Sequence, residues 1–140
     1  MLTSGDGFVA AVVVVIFRED RLLAMRRAEN SEAGPGLWEC VSGRIDPDED
    51  PLVAAAREVC EETGLTVEIA PRPVDSYTAR RAETPMVVVC YRADWISGEV
   101  RTSEEHDAHE WLSPEDFASR TTLTRLAEAV DRAARAGYIQ

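Results

Sequence analysis

Apolar residues come in runs along this chain, and the runs follow two different periods. Phe8 to Phe17 is an unbroken apolar stretch rich in β-branched residues. Such a run suits a central strand buried on both faces. Arg18-Glu19-Asp20-Arg21 is a polar turn and Leu22 to Arg26 a second strand, so a hairpin is expected. Glu29 to Gly36 collects Gly, Pro, Asn and Ser and reads as a loop. Leu37 to Ser42 reads as a short strand leading to Gly43. Thr66 to Ile69, Val74 to Ala79 and Met86 to Trp95 also read as extended, with the charged Arg80 to Thr84 exposed between the last two. Val87 to Cys90 is again wholly apolar, which places its strand near the middle of a sheet. Thr102 to Ala108 reads as a polar loop and Glu110 to Leu112 as the last strand.

Two segments switch to the helical period. The first runs from Pro51 to Thr63, with Asp50 a good N-cap, Pro51 suited to the first turn and Gly64 to the left-handed position after the last. Projected on a helix, Leu52, Ala56, Val59, Cys60 and Thr63 form its dry back. The second runs from Thr121 to Ala136, with Leu123, Leu126, Ala127, Val130 and Ala134 on its buried face and Gly137 ending it. Ser113-Pro114 opens a short helix through Phe117 between the last strand and this helix. Many strands with two well-separated long helices predict a mixed sheet packed between helices. No repeat or internal boundary interrupts residues 1–140, so one domain is expected, with 1–7 a loose terminus.

Composition narrows the function. The chain is 45% hydrophobic, within the globular range, which argues against disorder. A formal charge of −11 argues against a nucleic-acid polymer as partner. It opposes a phosphate substrate too, unless metal ions and clustered arginines reverse the field locally. Cys40, Cys60 and Cys90 are odd in number and lack a pairing motif, so three buried, reduced thiols in a cytoplasmic chain are expected. Val12 to Phe17 is too short to span a membrane, and no basic segment precedes it as in a signal peptide.

The first helix carries the chemistry. Glu58, Glu61 and Glu62 sit at i, i+3 and i+4 and so share one face. Like charges so spaced cost about 0.2–0.5 kcal/mol per pair on an isolated helix, and only Arg57 offers local relief. Carboxylate oxygens in this number suit Mg²⁺, with Mn²⁺ also possible. A calcium loop over Asp46 to Asp50 is excluded, because Pro51 stands where that loop needs Gly and Arg57 where it needs Glu. His106 and His109 suggest a metal pair, but at i, i+3 on a loop or strand they face no common point.

The stretch Gly43 to Leu65 resembles the Nudix box. Gly43, Glu49, Arg57, Glu58, Val59, Glu61, Glu62, Gly64 and Leu65 fill its nine constrained positions over twenty-three residues, so a chance match is very unlikely. The resemblance implies an α/β/α sandwich with a mixed β-sheet between helices. It implies Mg²⁺-dependent hydrolysis of a small molecule, a nucleoside diphosphate linked to another moiety. It makes Glu61 and Glu62 the firmest metal ligands and Glu58 a ligand or the base that activates water. Arg57 would hold Glu61 charged and fixed, while Glu49, Gly43 and Gly64 support the box. Among relatives a further acid often comes from a later loop; Glu104, Glu105 and Asp107 qualify, with Glu105 preferred. Arg26 and Arg27 are the phosphate or nucleotide contacts it suggests, and Arg44, just after Gly43, is close enough in sequence to face the same pocket. Trp38 has two open roles, stacking on a base or filling the core. Tyr77, Arg80, Arg81 and Tyr91 are placed on the far wall by location alone. One departure stands out: many relatives carry Gly-Gly where this chain has Ser42-Gly43. A homodimer is compatible with the resemblance. Two rival functions remain beside hydrolysis: an isoprenoid-diphosphate isomerase on the same fold, which lacks an evident Cys and Glu site here, and a nucleotide-binding module without catalysis, which a complete box disfavours.

Overall fold

The computed structural model describes residues 7–31 and 34–137. The loose terminus expected over 1–7 therefore lies outside the described residues, apart from the exposed Gly7. The strands are β1 (Val9–Arg18), β2 (Arg21–Arg27), β3 (Trp38–Glu39), β4 (Val41–Arg44), β5 (Thr66–Ile69), β6 (Asp75–Arg81), β7 (Thr84–Ser97) and β8 (His106–Leu112). The helices are α1 (Pro51–Thr63), α2 (Pro114–Arg120) and α3 (Thr124–Ala136).

One mixed sheet is built on the parallel pair β1 and β7, in register from Val9↔Met86 to Phe17↔Asp94. The other pairings are antiparallel: β2 and β4 on β1, β5 and β6 on β7, and β3 and β8 on β2. The unbroken apolar run of β1 is explained by burial on both faces. Val12, Val14 and Ile16 pack with Ala54, Ala55 and Val59 of α1. Val13, Val15 and Phe17 pack with Phe117 of α2 and with Leu126, Ala129, Val130 and Ala133 of α3. The period of two along one strand thus feeds two cores, giving the α/β/α sandwich.

Several boundaries differ from the sequence-based expectation. The strand over Leu37 to Ser42 is split at Cys40, because β3 pairs with β2 while β4 pairs with β1. The hairpin around Ala82 is tighter than expected, with β6 running through Arg81 and β7 starting at Thr84. The loop expected over Thr102 to Ala108 is cut short, because His106 is buried at the start of β8 with Nε2 2.8 Å from Glu39 Oε2. The helix expected from Thr121 starts instead at Thr124. Thr121 caps α2, and its hydroxyl donates to the Trp38 carbonyl at 2.8 Å. Leu123 is consequently 37% exposed, and Ala129 and Ala133 take buried places beside Leu126 and Val130.

The largest correction concerns α1. Its buried residues are Ala54, Ala55, Glu58, Val59, Glu62 and Thr63, whereas Ala56 and Cys60 are exposed and Leu52 is half-buried. The helix is rolled so that two of its glutamates face inward. Hydropathy favours the opposite roll, but Ala54 and Ala55 let the helix approach β1 closely. A consequence is measurable. Cys60 is exposed, while burial pushes the Cys90 thiol up to about 12 and the Cys40 thiol well above its usual value. A thiol reagent is expected to titrate one cysteine in the native protein and three after denaturation, since the thiolate is the reactive form. Fast native labelling of two or more would contradict this packing.

The α3 layer is fastened to β6 by charge. Asp75 accepts two hydrogen bonds from Arg125, at 2.7 and 3.0 Å, and one from Arg132 at 3.0 Å. With the Ser76 N–H adding a fourth at 2.8 Å, the Asp75 carboxyl titrates below its ordinary value, chiefly through its Arg125 bonds. Its side chain is only 2% exposed, so the pair is strongly directional.

Candidate active site

The loop before α1 folds around Arg57. The Arg57 guanidinium donates to Glu49 through Nε and Nη2, both at 2.9 Å, and through Nη2 to the Arg44 carbonyl at 2.9 Å. Its Nη1 lies 3.2 Å from Glu58 Oε2 and 3.4 Å from Glu61 Oε2. One side chain therefore ties β4, the loop and α1 together. Glu49 also accepts from the Asp46 N–H at 2.9 Å, and its carboxyl falls to about 2 through its bonds to Arg57. The far end of α1 is closed by Gly64 at φ +71°, where its N–H reaches the Cys60 carbonyl.

The three helix glutamates do not share one environment. Glu61 keeps a 57% exposed side chain, while Glu58 and Glu62 are buried. Burial is the main cause that pushes the Glu62 carboxyl up to about 9; the negative charges of Glu58, Glu39 and Glu105 add to it. Burial likewise raises Glu58, opposed by Arg57 and reinforced by Glu61. Among the described residues, Glu62 Oε1 has no hydrogen-bond partner, although it is out of contact with water. A buried, unpartnered carboxylate oxygen beside a second carboxylate is costly on its own, and a cation relieves it. The residues present therefore fit a hard dication, although among the described residues no three acidic, His or Cys side chains already close on one point.

Strand β4 is the partition between these carboxylates and a cavity of about 520 Å³. A Cβ on Gly43 would lie 2.0 Å from Glu58 Oε2, so Gly is required here by close approach. Its neighbours Ser42 and Arg44 line the cavity, together with Arg27, Arg80, Arg81 and Arg125. Among the described residues, Glu39 is the one acidic side chain lining it, which reverses locally the sign of the chain's net charge.

A family model described as NUDIX domain matches residues 7–133. The chain belongs to the Nudix family. It is 40% identical over 129 residues to a MutT-like protein of Streptomyces ambofaciens, covering 88% of this chain and 77% of that one. It is 30% identical over 113 residues to a CTP pyrophosphohydrolase of Escherichia coli K12, covering 77% and 78%. Among solved structures, a MutT protein from Methanosarcina mazei Go1 superposes with a TM-score of 0.81 at 27% identity, covering 94% of this chain and 96% of that one. This chain is thus a hydrolase of the Nudix family, and its α/β/α sandwich is the family fold.

The Nudix chain treats its other expected site residues unequally. Arg27 and Arg44 line the cavity, with Tyr77, Arg80 and Arg81 on its wall. Arg26 does not line the cavity, and its Nε donates to Asp107 at 2.8 Å. Trp38 does not line the cavity; it packs against the core beneath Arg120, whose Cζ is 5.0 Å from the ring centroid. Tyr91 is buried in the opposite, α1-side core and leaves the far wall. Glu105 is exposed yet close enough to act on Glu62, held there by its carbonyl, which accepts from Ala28 N–H at 2.9 Å. No local pattern marks Glu39. It is buried between Arg27 Nη1 at 3.1 Å and His106, and it also acts on Glu62. Only the pairing of β3 with β2, and of β2 with β8, brings those three together.

Proposed function

We propose that this chain is a divalent-metal-dependent pyrophosphohydrolase that cleaves a nucleoside diphosphate linked to another moiety. The buried Glu58–Glu62 pair, with its unpartnered oxygen one strand away from an arginine-lined cavity, carries this reading. Glu61 and Glu62 would hold Mg²⁺ or Mn²⁺, with Glu58 beside them and Glu105 contributed by the segment before β8. When bound, the dication supplies neutralisation of phosphate charge and a more acidic water. Glu58 takes the proton of the attacking water, a role that its burial-raised carboxyl suits. Arg57 keeps the Glu58 and Glu61 carboxylates in place, and Glu49 keeps Arg57 in place. Arg44, Arg27, Arg80 and Arg81 attract the phosphates from the cavity side. Residues 1–140 work as one domain in the cytoplasm, where free thiols persist.

The likeness to a CTP pyrophosphohydrolase puts nucleoside triphosphates first among substrates to test. The deciding assay offers nucleoside triphosphates, dinucleoside polyphosphates, nucleotide sugars, ADP-ribose and isoprenoid diphosphates with Mg²⁺ or Mn²⁺. Released phosphate, released pyrophosphate and isomerised product are read separately. Cleavage of at least one nucleotide, abolished by chelator, is the expected result. Isomerisation, or nucleotide binding with no cleavage across the panel, overturns the proposal in favour of one of its two rivals.

A further inference from the structure

The cavity runs across four strands, and the strand register shows what lies along it. Arg44 of β4 pairs with Ala11 of β1, Ala11 with Val88 of β7, and Val88 with Tyr77 of β6. All four line the cavity. Three strand spacings of about 4.8 Å separate Arg44 from Tyr77 by roughly 14 Å. Ala11 and Val88 between them are apolar, so the floor is an apolar trough with the box strand at one end and Tyr77 at the other.

The Tyr77 end is built differently from the rest. Arg125 lies over the Tyr77 ring, its Cζ 4.5 Å from the centroid. It is locked in that pose because Nη1 and Nη2 both donate to the buried Asp75. A guanidinium with both terminal nitrogens turned to a carboxylate offers a phosphate less than a free one does, but its flat face remains a good surface for a ring. The neighbouring side chains Met86, Leu123 and Leu126 are apolar and suit a ring rather than an anion. Arg44, Arg80 and Arg81, by contrast, make no ion pair among the described residues.

We propose that Tyr77 and Arg125 form a stacking platform for the aromatic base of the substrate, with Asp75 the positioning residue that holds Arg125 flat. The inference rests on the nucleotide reading above and adds an orientation to it. The base lies at the α3 end of the trough, and the diphosphate crosses β4 toward Glu58 and Glu62. Specificity among substrates then comes from the ring that fits against this platform, beside Met86, Leu123 and Leu126.

The test uses equilibrium binding by calorimetry, without turnover. The probes are a purine nucleoside monophosphate, a pyrimidine nucleoside monophosphate and ribose 5-phosphate, which lacks a base. The variants are Arg125→Lys, which keeps charge but loses the plane, and Asp75→Asn, with melting temperature recorded for each. Wild type is expected to bind at least one nucleotide about tenfold more tightly than ribose 5-phosphate, the scale of one stacked base. Arg125→Lys is expected to remove most of that difference and to leave ribose 5-phosphate unchanged. Asp75→Asn should do the same; if it unfolds, Arg125→Lys decides alone. Equal losses for nucleotide and ribose 5-phosphate would make Arg125 a phosphate contact and overturn the platform. No loss at all, or a wild type indifferent to the base, overturns it as well. Turnover is scored apart: a chain that binds the base here yet cleaves nothing keeps the platform and loses the hydrolase reading.

Discussion

Glu62→Gln is expected to lower turnover by about 10²–10³-fold, the scale on which loss of one preorganised charge-stabilising group acts. The same change is expected to raise the melting temperature of the metal-free protein by roughly 3–8 °C. The two effects share one cause. Glu62 is 5% exposed, close to Glu58, Glu39 and Glu105, and one of its oxygens has no partner among the described residues. Such a charge burdens the fold unless a cation answers it. The sign of the pH dependence follows. Burial raises the folded-state carboxyl to about 9, while an unfolded Glu titrates near ~4.3. Between those values the folded chain keeps a proton that the unfolded chain has lost, so metal-free stability is full at the acid end and declines as pH rises toward 9. In the Glu62→Gln variant the slope should flatten, and in wild type Mg²⁺ should oppose it. Melting curves from about pH 5 to 9, one set in chelator and one in Mg²⁺ without chelator, read all of this. Full activity in the variant with clean metal would remove Glu62 from the mechanism; an unchanged slope would remove the physical account of its burial.

The second large effect is expected from Gly43→Ala. The added Cβ would stand 2.0 Å from Glu58 Oε2 and 2.1 Å from its Cδ. Arg57 holds that carboxylate at 3.2 Å, so it cannot swing aside without breaking the network that also holds Glu49 and Glu61. A displacement of about 1 Å in a catalytic group costs about 10²-fold in rate, and that is the loss expected in kcat. Overpacking of one methyl costs about 1–3 kcal/mol, so the variant should remain folded at room temperature. Circular dichroism and a thermal melt establish the fold, and steady-state kinetics the loss. A folded Gly43→Ala enzyme with wild-type kcat would mean that the Glu58 position does not govern the reaction.

The strands and helices were legible where a local signal is strong. The apolar runs of β1 and β7, the Pro51 start and the Gly64 stop of α1 come from one-dimensional periodicity and backbone chemistry, which need no partner. The start of α3 was not legible to the residue, because it depends on Thr121 reaching the Trp38 carbonyl, 83 residues away in sequence. His106 looked like part of a polar loop for the same reason: its burial is decided by Glu39, 67 residues away. At the site, Arg57, Glu58, Glu61 and Glu62 could be named from the helical spacing together with the resemblance to the Nudix box. Glu39, Asp75 and Arg125 could not, since their neighbours come from other elements.

By itself the sequence determined the box, the order of elements and the family, because a motif of fixed spacing and an unbroken apolar strand are properties of the chain read in one direction. Only the tertiary structure decided which way α1 rolls, that Glu58 and Glu62 are buried while Glu61 is not, and that arginines gather around one cavity in a chain of net charge −11. Those outcomes depend on how closely α1 can approach β1 and on which residues the strand register sets side by side. Helical periodicity constrains neither.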